Sequence, residues 1–134
     1  NAFVAQFIGE NNTLNGKVLG LDGDICTVEV EGGEKLKALA VNIQGVGFDT
    51  MISLRPERVM VNPESGQCSS TVTGKVEELI YLGDHIRSRM NVCGHDDFIV
   101  KIPNSADHAQ LQPGDTVQVG WKAEDARALD VLVS

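Results

Sequence analysis

The stretch IRSRMNV, residues 86–92, decides the fold because its side chains alternate strictly in character. Its apolar or small side chains are Ile86, Ser88, Met90 and Val92, and arginine or asparagine stands between them. Successive side chains of a β-strand point to opposite faces, so a period of two predicts a strand that is buried on one face only.

The same alternation recurs along the chain at residues 26–30, 117–121 and 129–133, the second of which ends in an inward-facing Trp121. Turn-forming residues separate the runs. The clearest turn signals are Asp22-Gly23-Asp24, Gly32-Gly33, Gly45-Val46-Gly47, Gly94-His95-Asp96-Asp97 and Pro113-Gly114-Asp115. Short strands at this spacing predict an all-β chain that forms a closed or nearly closed antiparallel barrel.

Before the strands, residues 1–10 have a helical pattern instead. Phe3 with Phe7 and Val4 with Ile8 are pairs four residues apart, which lie on one stripe of a helix. The sequence therefore predicts a short linker helix ahead of the β-domain, and its apolar stripe must pack on the barrel or on another copy of the chain.

Two segments leave alternatives open. Residues 72–82 suit a helix or a long strand bent at Gly74, and the strand is favoured. Residues 62–70 are either a linker between two β-rich halves, 11–62 and 70–134, or an exposed loop within one compact unit. The loop is favoured because each half alone is of marginal size for a hydrophobic core.

Composition excludes several classes of function. Eleven basic against nineteen acidic residues give a net charge of −8, which disfavours a nucleic-acid partner. No apolar run approaches the roughly 20 residues of a transmembrane helix, so direct membrane insertion is not expected. Three widely spaced cysteines do not suit a disulfide framework and favour a reducing, cytoplasmic compartment.

No catalytic motif is recognisable in the chain. A phosphate-binding P-loop requires Ser or Thr after its Gly-Lys pair, and Gly16-Lys17 and Gly74-Lys75 are each followed by valine. Cys93, His95 and Asp96 could in principle ligate a metal, but there is no second ligand pair, so a polar hairpin turn is the favoured interpretation. We expect no catalytic residue, cofactor or metal here.

Two groups of charged residues are candidate ligand or interface sites. His85, Arg87 and Arg89, which we call the cationic row, alternate on one strand and should share a face. Arg55 and Glu57 flank a proline that breaks a strand and project charges from the break. Either group can instead be structural: a solvated outer face for the row, and a local ion pair at the corner for Arg55 and Glu57.

Several motifs occur together and in order across nearly the whole chain. They are FVAQFIG at residues 3–9, Arg55-Pro56-Glu57, Tyr81-Leu82-Gly83, Gly114-Asp115 and Trp121. With them the chain resembles the C-terminal accessory region of the ATP-binding subunit of an ABC importer of the spermidine/putrescine-uptake type. The part around the Arg-Pro-Glu triplet is similar to the TOBE domain, whose relatives in some cases bind small oxyanions or regulatory proteins.

The resemblance implies an OB-like, TOBE-type regulatory domain over residues 11–134. It implies a piece of a larger subunit in which two copies pair as a homodimer beneath membrane permease subunits, peripheral to the inner membrane. ATP and magnesium would then belong to a catalytic domain outside this chain.

The alternative function is a small-ligand sensor for an oxyanion or a polyamine. A free-standing OB-fold nucleic-acid binder is a further rival, disfavoured because stacking aromatics on a basic groove are not evident.

Overall fold

The computed structural model describes residues 11–103 and 111–130, and within these ranges almost all regular structure is β. The strands are β1 (Asn12–Asp22), β2 (Ile25–Val30), β3 (Lys35–Asn42), β4 (Asp49–Leu54), β5 (Met60–Val61), β6 (Ser70–Tyr81), β7 (His85–Val92), β8 (His95–Pro103), β9 (Thr116–Trp121) and β10 (Ala126–Asp130). Two short 3-10 helices, Pro56–Arg58 and Ala123–Asp125, interrupt them. In these ranges no helix is long and apolar enough to cross a membrane.

The first sheet is a closed barrel with the strand order β1-β2-β3-β10-β4. Its pairings are antiparallel except the one that closes it, where β10 runs parallel to β3 and Ala128 lies opposite Ala40. The predicted antiparallel barrel is therefore confirmed, with one parallel pair at its closure. Parallel neighbours need a long connection, and here the whole second sheet lies between β3 and β10.

The second sheet has five strands in the order β5-β9-β6-β7-β8 and is antiparallel throughout. Each sheet draws strands from both sides of residues 62–70: β10 returns to the barrel, and β5 joins the second sheet.

Alternating side chains build the core, as the sequence pattern predicts. Val28 in the barrel and Met90 and Val119 in the second sheet are completely buried. Trp121 is also fully buried, and its ring stacks on Phe98 with 6.2 Å between ring centroids. The inward face assigned to Trp121 from the alternation is therefore confirmed.

Side-chain to backbone hydrogen bonds form a seam between the two sheets. The buried Asn12 amide on β1 donates to the Ile99 carbonyl on β8 and accepts from the Ile99 N–H, at 2.7 Å in each case. A second bond, 2.8 Å long, runs from the Lys37 N–H on β3 to the Ser70 hydroxyl on β6. The Asn12 side chain thus offers β8 the same donor and acceptor as a peptide group, so the backbone groups of Ile99 are satisfied where the two sheets meet.

The structure resolves the ambiguous segment as a strand and corrects the position of its irregularity. β6 passes through Gly74 without a break, and the register shift against β7 falls between Val76 and Glu78. Gly74 instead fits closely against its neighbours: a Cβ there would lie 3.3 Å from the Val92 side chain and 3.4 Å from the sulfur of Met90, so these side chains would have to shift slightly. The predicted linker helix and the last residues of the 129–133 strand lie outside the described residues.

Candidate functional site

The cationic row lies on β7, in the middle of the β6-β7-β8 part of the second sheet. The register of β7 is regular from His85 to Met90, so alternation places His85, Arg87 and Arg89 on the face opposite buried Ser88. The structure therefore brings these three predicted residues together on one surface. Their role as a ligand or interface site stays a prediction.

The central residue of the row has a cationic neighbour that the sequence analysis missed. Lys101 on β8 is directly opposite Arg87, and Ile80 on β6 is opposite Arg87 on the other side. Both cations are exposed. Like charges in directly opposed positions destabilise a sheet, and a bound anion or an acidic partner would relieve that cost. This pair becomes visible only once the register between β7 and β8 is known, and that register could not be predicted from the sequence.

The two ends of the row have polar partners. The Asp84 carboxylate lies 2.8 Å from the Nδ1 of His85. This hydrogen bond and the His85 charge hold the pKa of Asp84 below its usual value, and Lys101 adds to the effect. At the other end, the Nη1 of Arg89 donates to the Asp96 carbonyl at 2.8 Å. The side chain of Arg87, at the centre of the row, has no hydrogen-bond or ion-pair partner among the described residues.

The Arg-Pro-Glu corner is a separate feature. Pro56 is buried and begins a 3-10 helix directly after β4, which is closed by hydrogen bonds from Arg58 to the Arg55 carbonyl and from Val59 to the Pro56 carbonyl. Arg55 and Glu57 are exposed, and in the described part of the chain no ion pair joins them. The corner is thus held by the buried proline and backbone bonds, and its two charges are available to another molecule.

The predicted hairpin between β7 and β8 is present, but the structure corrects the position of its turn: the turn is Cys93-Gly94, and His95, Asp96 and Asp97, predicted as turn residues, lie in β8. Cys93 and Gly94 have positive φ values, 52° and 83°, which two-residue hairpin turns require. Burial, followed by the nearby Glu34 carboxylate, raises the pKa of the Cys93 thiol to about 11. A thiol that stays protonated at neutral pH is a poor nucleophile or metal ligand. Within residues 11–103 and 111–130, no group of three His, Cys, Asp or Glu side chains is placed to hold a metal.

A closed five-stranded barrel in contact with a second, five-stranded β-sheet makes this chain an all-β, OB-like domain. In comparisons with solved structures, a molybdate-bound crystal form of the cytoplasmic molybdate-binding protein ModG superimposes with a TM-score of 0.76. The superposition covers 89% of this chain and 95% of that one, at 17% sequence identity. At this identity the likeness establishes the fold alone.

The family follows from the sequence comparisons: the chain belongs to the TOBE domain family, whose profile matches residues 52–129. Among curated proteins, the spermidine/putrescine import ATP-binding protein PotA of Rubrobacter xylanophilus is 33% identical over 125 residues. That alignment covers 92% of this chain and 32% of the relative.

The protein of the same name from Chromobacterium violaceum is 32% identical over 128 residues, covering 91% and 35% respectively. The resemblance inferred from the sequence motifs is confirmed, and the chain spans about a third of the length of these relatives.

Proposed function

We propose that this chain is the regulatory and dimer-stabilising C-terminal domain of the ATP-binding subunit of an ABC importer, with polyamines as the transported solutes. The observation that carries the proposal is that nearly the whole chain aligns with spermidine/putrescine import ATP-binding proteins, yet accounts for only about a third of their length. The remaining two thirds of such a subunit would hold ATP and magnesium and contact the membrane permeases.

The physical properties of the chain agree with a non-catalytic role. Its Gly-Lys pairs lack the hydroxyl residue that a P-loop uses to hold magnesium. Of its charged candidate residues, Arg55, Glu57 and Arg87 are exposed, which suits contact with another protein surface. In this role the domain acts in the cytoplasm, at the inner face of the membrane, and holds two ATP-binding subunits together while their catalytic domains open and close.

The test is an uptake assay with the parent subunit. Cells that depend on it for spermidine import are supplied with the whole subunit or with one that ends before Asn11. We expect the shortened subunit to retain ATP binding, and both its self-association and spermidine uptake to fall. Unchanged uptake and unchanged self-association would refute the proposal.

A second candidate function, an anion sensor, is favoured by one specific observation, the opposed cations Arg87 and Lys101. The solved structural neighbour binds molybdate, so the same fold can carry an oxyanion site. Calorimetry with molybdate, sulfate, putrescine and spermidine tests this candidate. If the domain is an anion sensor, we expect an anion to bind to the parent chain and binding to be lost in the Arg87→Gln, Lys101→Gln double variant. The control is Lys17→Gln, which removes an exposed cation on the barrel and should leave binding unchanged.

A further inference from the structure

The outer half of β6 extends beyond its neighbour β9. β9 pairs with β6 only over Ser70 to Lys75. The turn before β9 covers one more residue, because Val76 donates to the Asp115 carbonyl and accepts from the Gly114 N–H. After Val76, β6 continues to Tyr81, and among the described strands only β7 pairs with this part of it.

The backbone groups on the open side follow from the hairpin register. The Leu82 N–H donates to the His85 carbonyl at 2.9 Å, so the peptide groups of Leu82 point toward β7. Alternation in an antiparallel pair then directs the peptide groups of Ile80 toward β7, and those of Leu79 and Tyr81 away from it. Neither Leu79 nor Tyr81 has a backbone partner on that side within the described residues.

The side chains at this edge are apolar and exposed, unlike those of most edge strands. Ile80, Tyr81 and Leu82 have 41%, 65% and 47% of their surface exposed. Proteins usually protect an open edge with charged residues and irregularities, and the near end of this one has Glu77, Glu78 and the register shift. Among residues 11–103 and 111–130, nothing comparable protects residues 79–82, which we call the β6 edge. An open edge with exposed apolar residues is a surface for adding a strand.

We propose that the β6 edge pairs antiparallel with the β6 edge of a second copy of this chain about a two-fold axis, with Ile80 opposite Ile80 of the partner subunit. This inference rests on the dimer-stabilising role proposed above and specifies its contact. Leu79 then lies opposite Tyr81 of the partner subunit, and each such pair exchanges both of its backbone hydrogen bonds. The two second sheets become one continuous sheet.

The β6 edge is complementary to itself, which is why we infer that its partner is a second copy of this chain. An antiparallel edge pairs with itself about a two-fold axis, so one sequence supplies both sides of a closed contact. In this register apolar Ile80 meets its own copy, and Glu78 lies opposite Leu82 of the partner subunit rather than another carboxylate. Shifting the axis to Leu79 would instead place Glu77 against Tyr81 of the partner subunit and lose the apolar match.

The cations beside the edge do not oppose this pairing. Arg87 is one strand away from Ile80, so three inter-strand steps separate it from Arg87 of the partner subunit. That distance is about 14 Å at the usual strand spacing, which exceeds the Debye length of ~8 Å at physiological ionic strength. Repulsion between the two copies is therefore largely screened.

Sedimentation equilibrium of three variants tests the contact. Tyr81→Pro removes an N–H that points to the open side and leaves the β6–β7 hydrogen bonds intact, since proline is tolerated at sheet edges. Ile80→Lys places two ammonium groups together at the axis. Leu21→Lys is the matched control, because Leu21 is 52% exposed near the tip of another hairpin, in the barrel. Circular dichroism melting establishes that each variant is folded.

We expect a wild-type dimer, dissociation constants at least about tenfold higher for Tyr81→Pro and Ile80→Lys, and wild-type association for Leu21→Lys. A dimer that both β6 variants leave unchanged overturns this contact and leaves the dimer-stabilising role standing. Weakening by all three variants overturns it too, since it indicates unspecific apolar association. A chain that is monomeric at millimolar concentration overturns both the contact and self-association of this domain.

Crosslinking tests the register separately. Ile80→Cys places two thiols opposite each other at the axis, within reach of a disulfide, whereas Leu82→Cys places them four residues apart along the strands. Under mild oxidation we expect a covalent dimer from Ile80→Cys only. The unsubstituted chain, with its own three cysteines, is the blank. Equal crosslinking of the two variants would overturn the proposed register.

Discussion

Replacing Asn12 by alanine should uncouple the barrel from the second sheet. The side chain is only 6% exposed and makes two 2.7 Å hydrogen bonds to the backbone of Ile99. Each bond contributes about 1 kcal/mol net, and a buried peptide group that loses its partner costs about 1–3 kcal/mol. We therefore expect Asn12→Ala to lower the free energy of unfolding by about 2–5 kcal/mol, a large part of the usual 5–15 kcal/mol.

Urea unfolding measures this loss with two probes. Fluorescence of Trp121, the single tryptophan of the chain, reports on the second sheet, and far-ultraviolet circular dichroism reports on both sheets. The matched control is Asn15→Ala, an exposed position on the same strand, which should change stability by less than about 0.5 kcal/mol. A loss below that size for Asn12→Ala would show that water replaces the amide and that the seam does not depend on it.

Four further predictions concern the core, a buried hydroxyl, a half-buried thiol and ATP binding. Trp121→Ala should cost about 3–5 kcal/mol, since it deletes a fully buried ring stacked on Phe98, and a melting temperature within a degree or two of the parent would contradict this. Ser88→Ala should stabilise the fold by about 1 kcal/mol, because the Ser88 hydroxyl is buried without a hydrogen-bond partner; a lower urea midpoint would argue against it. Above about pH 9 the unfolded Cys93 thiol ionises. The folded thiol stays protonated until its pKa of about 11, so stability should fall between these values, and the fall should be smaller in Cys93→Ala, as urea titrations at both pH values would reveal. The purified chain should neither bind nor hydrolyse ATP, and magnesium-dependent turnover of a fluorescent ATP analogue would refute that.

The sequence predicts the parts of this fold that depend on local alternation. Met90, Val119 and Trp121 are buried as their strands' period of two requires. A hairpin turn that includes Gly94 also follows from local residue types, because such turns need positive φ values that glycine adopts easily; its placement at Cys93-Gly94, one residue earlier than predicted, is visible only in the structure.

Features that depend on long-range pairing could not be predicted. The irregularity of β6 lies between Val76 and Glu78 because of the register against β7, whereas glycine alone suggested a bend at Gly74. Lys101 lies beside Arg87 across a hairpin whose register shifts between Met90 and Val92, and the amide of Asn12 bonds to Ile99, which is 87 positions away in the chain. Which strands become neighbours, and how the two sheets pack on each other, depends on the whole fold. The alternation of side chains along one strand carries no information on which strand lies beside it.

The parallel closure of the barrel has a consequence for the order in which the chain can fold during synthesis. Ala128 pairs with Ala40, 88 positions earlier in the chain (128 − 40), so the ribosome must release nearly all of the domain before the barrel can close. Until then β3 and β4 present unpaired edges to the cell, and such edges in a nascent chain invite aggregation or capture by chaperones. Long-range closure of this kind is also slow, because loop entropy is lost before the contacts form. During translation, the barrel therefore stays open between β3 and β4 until β10 has been synthesised.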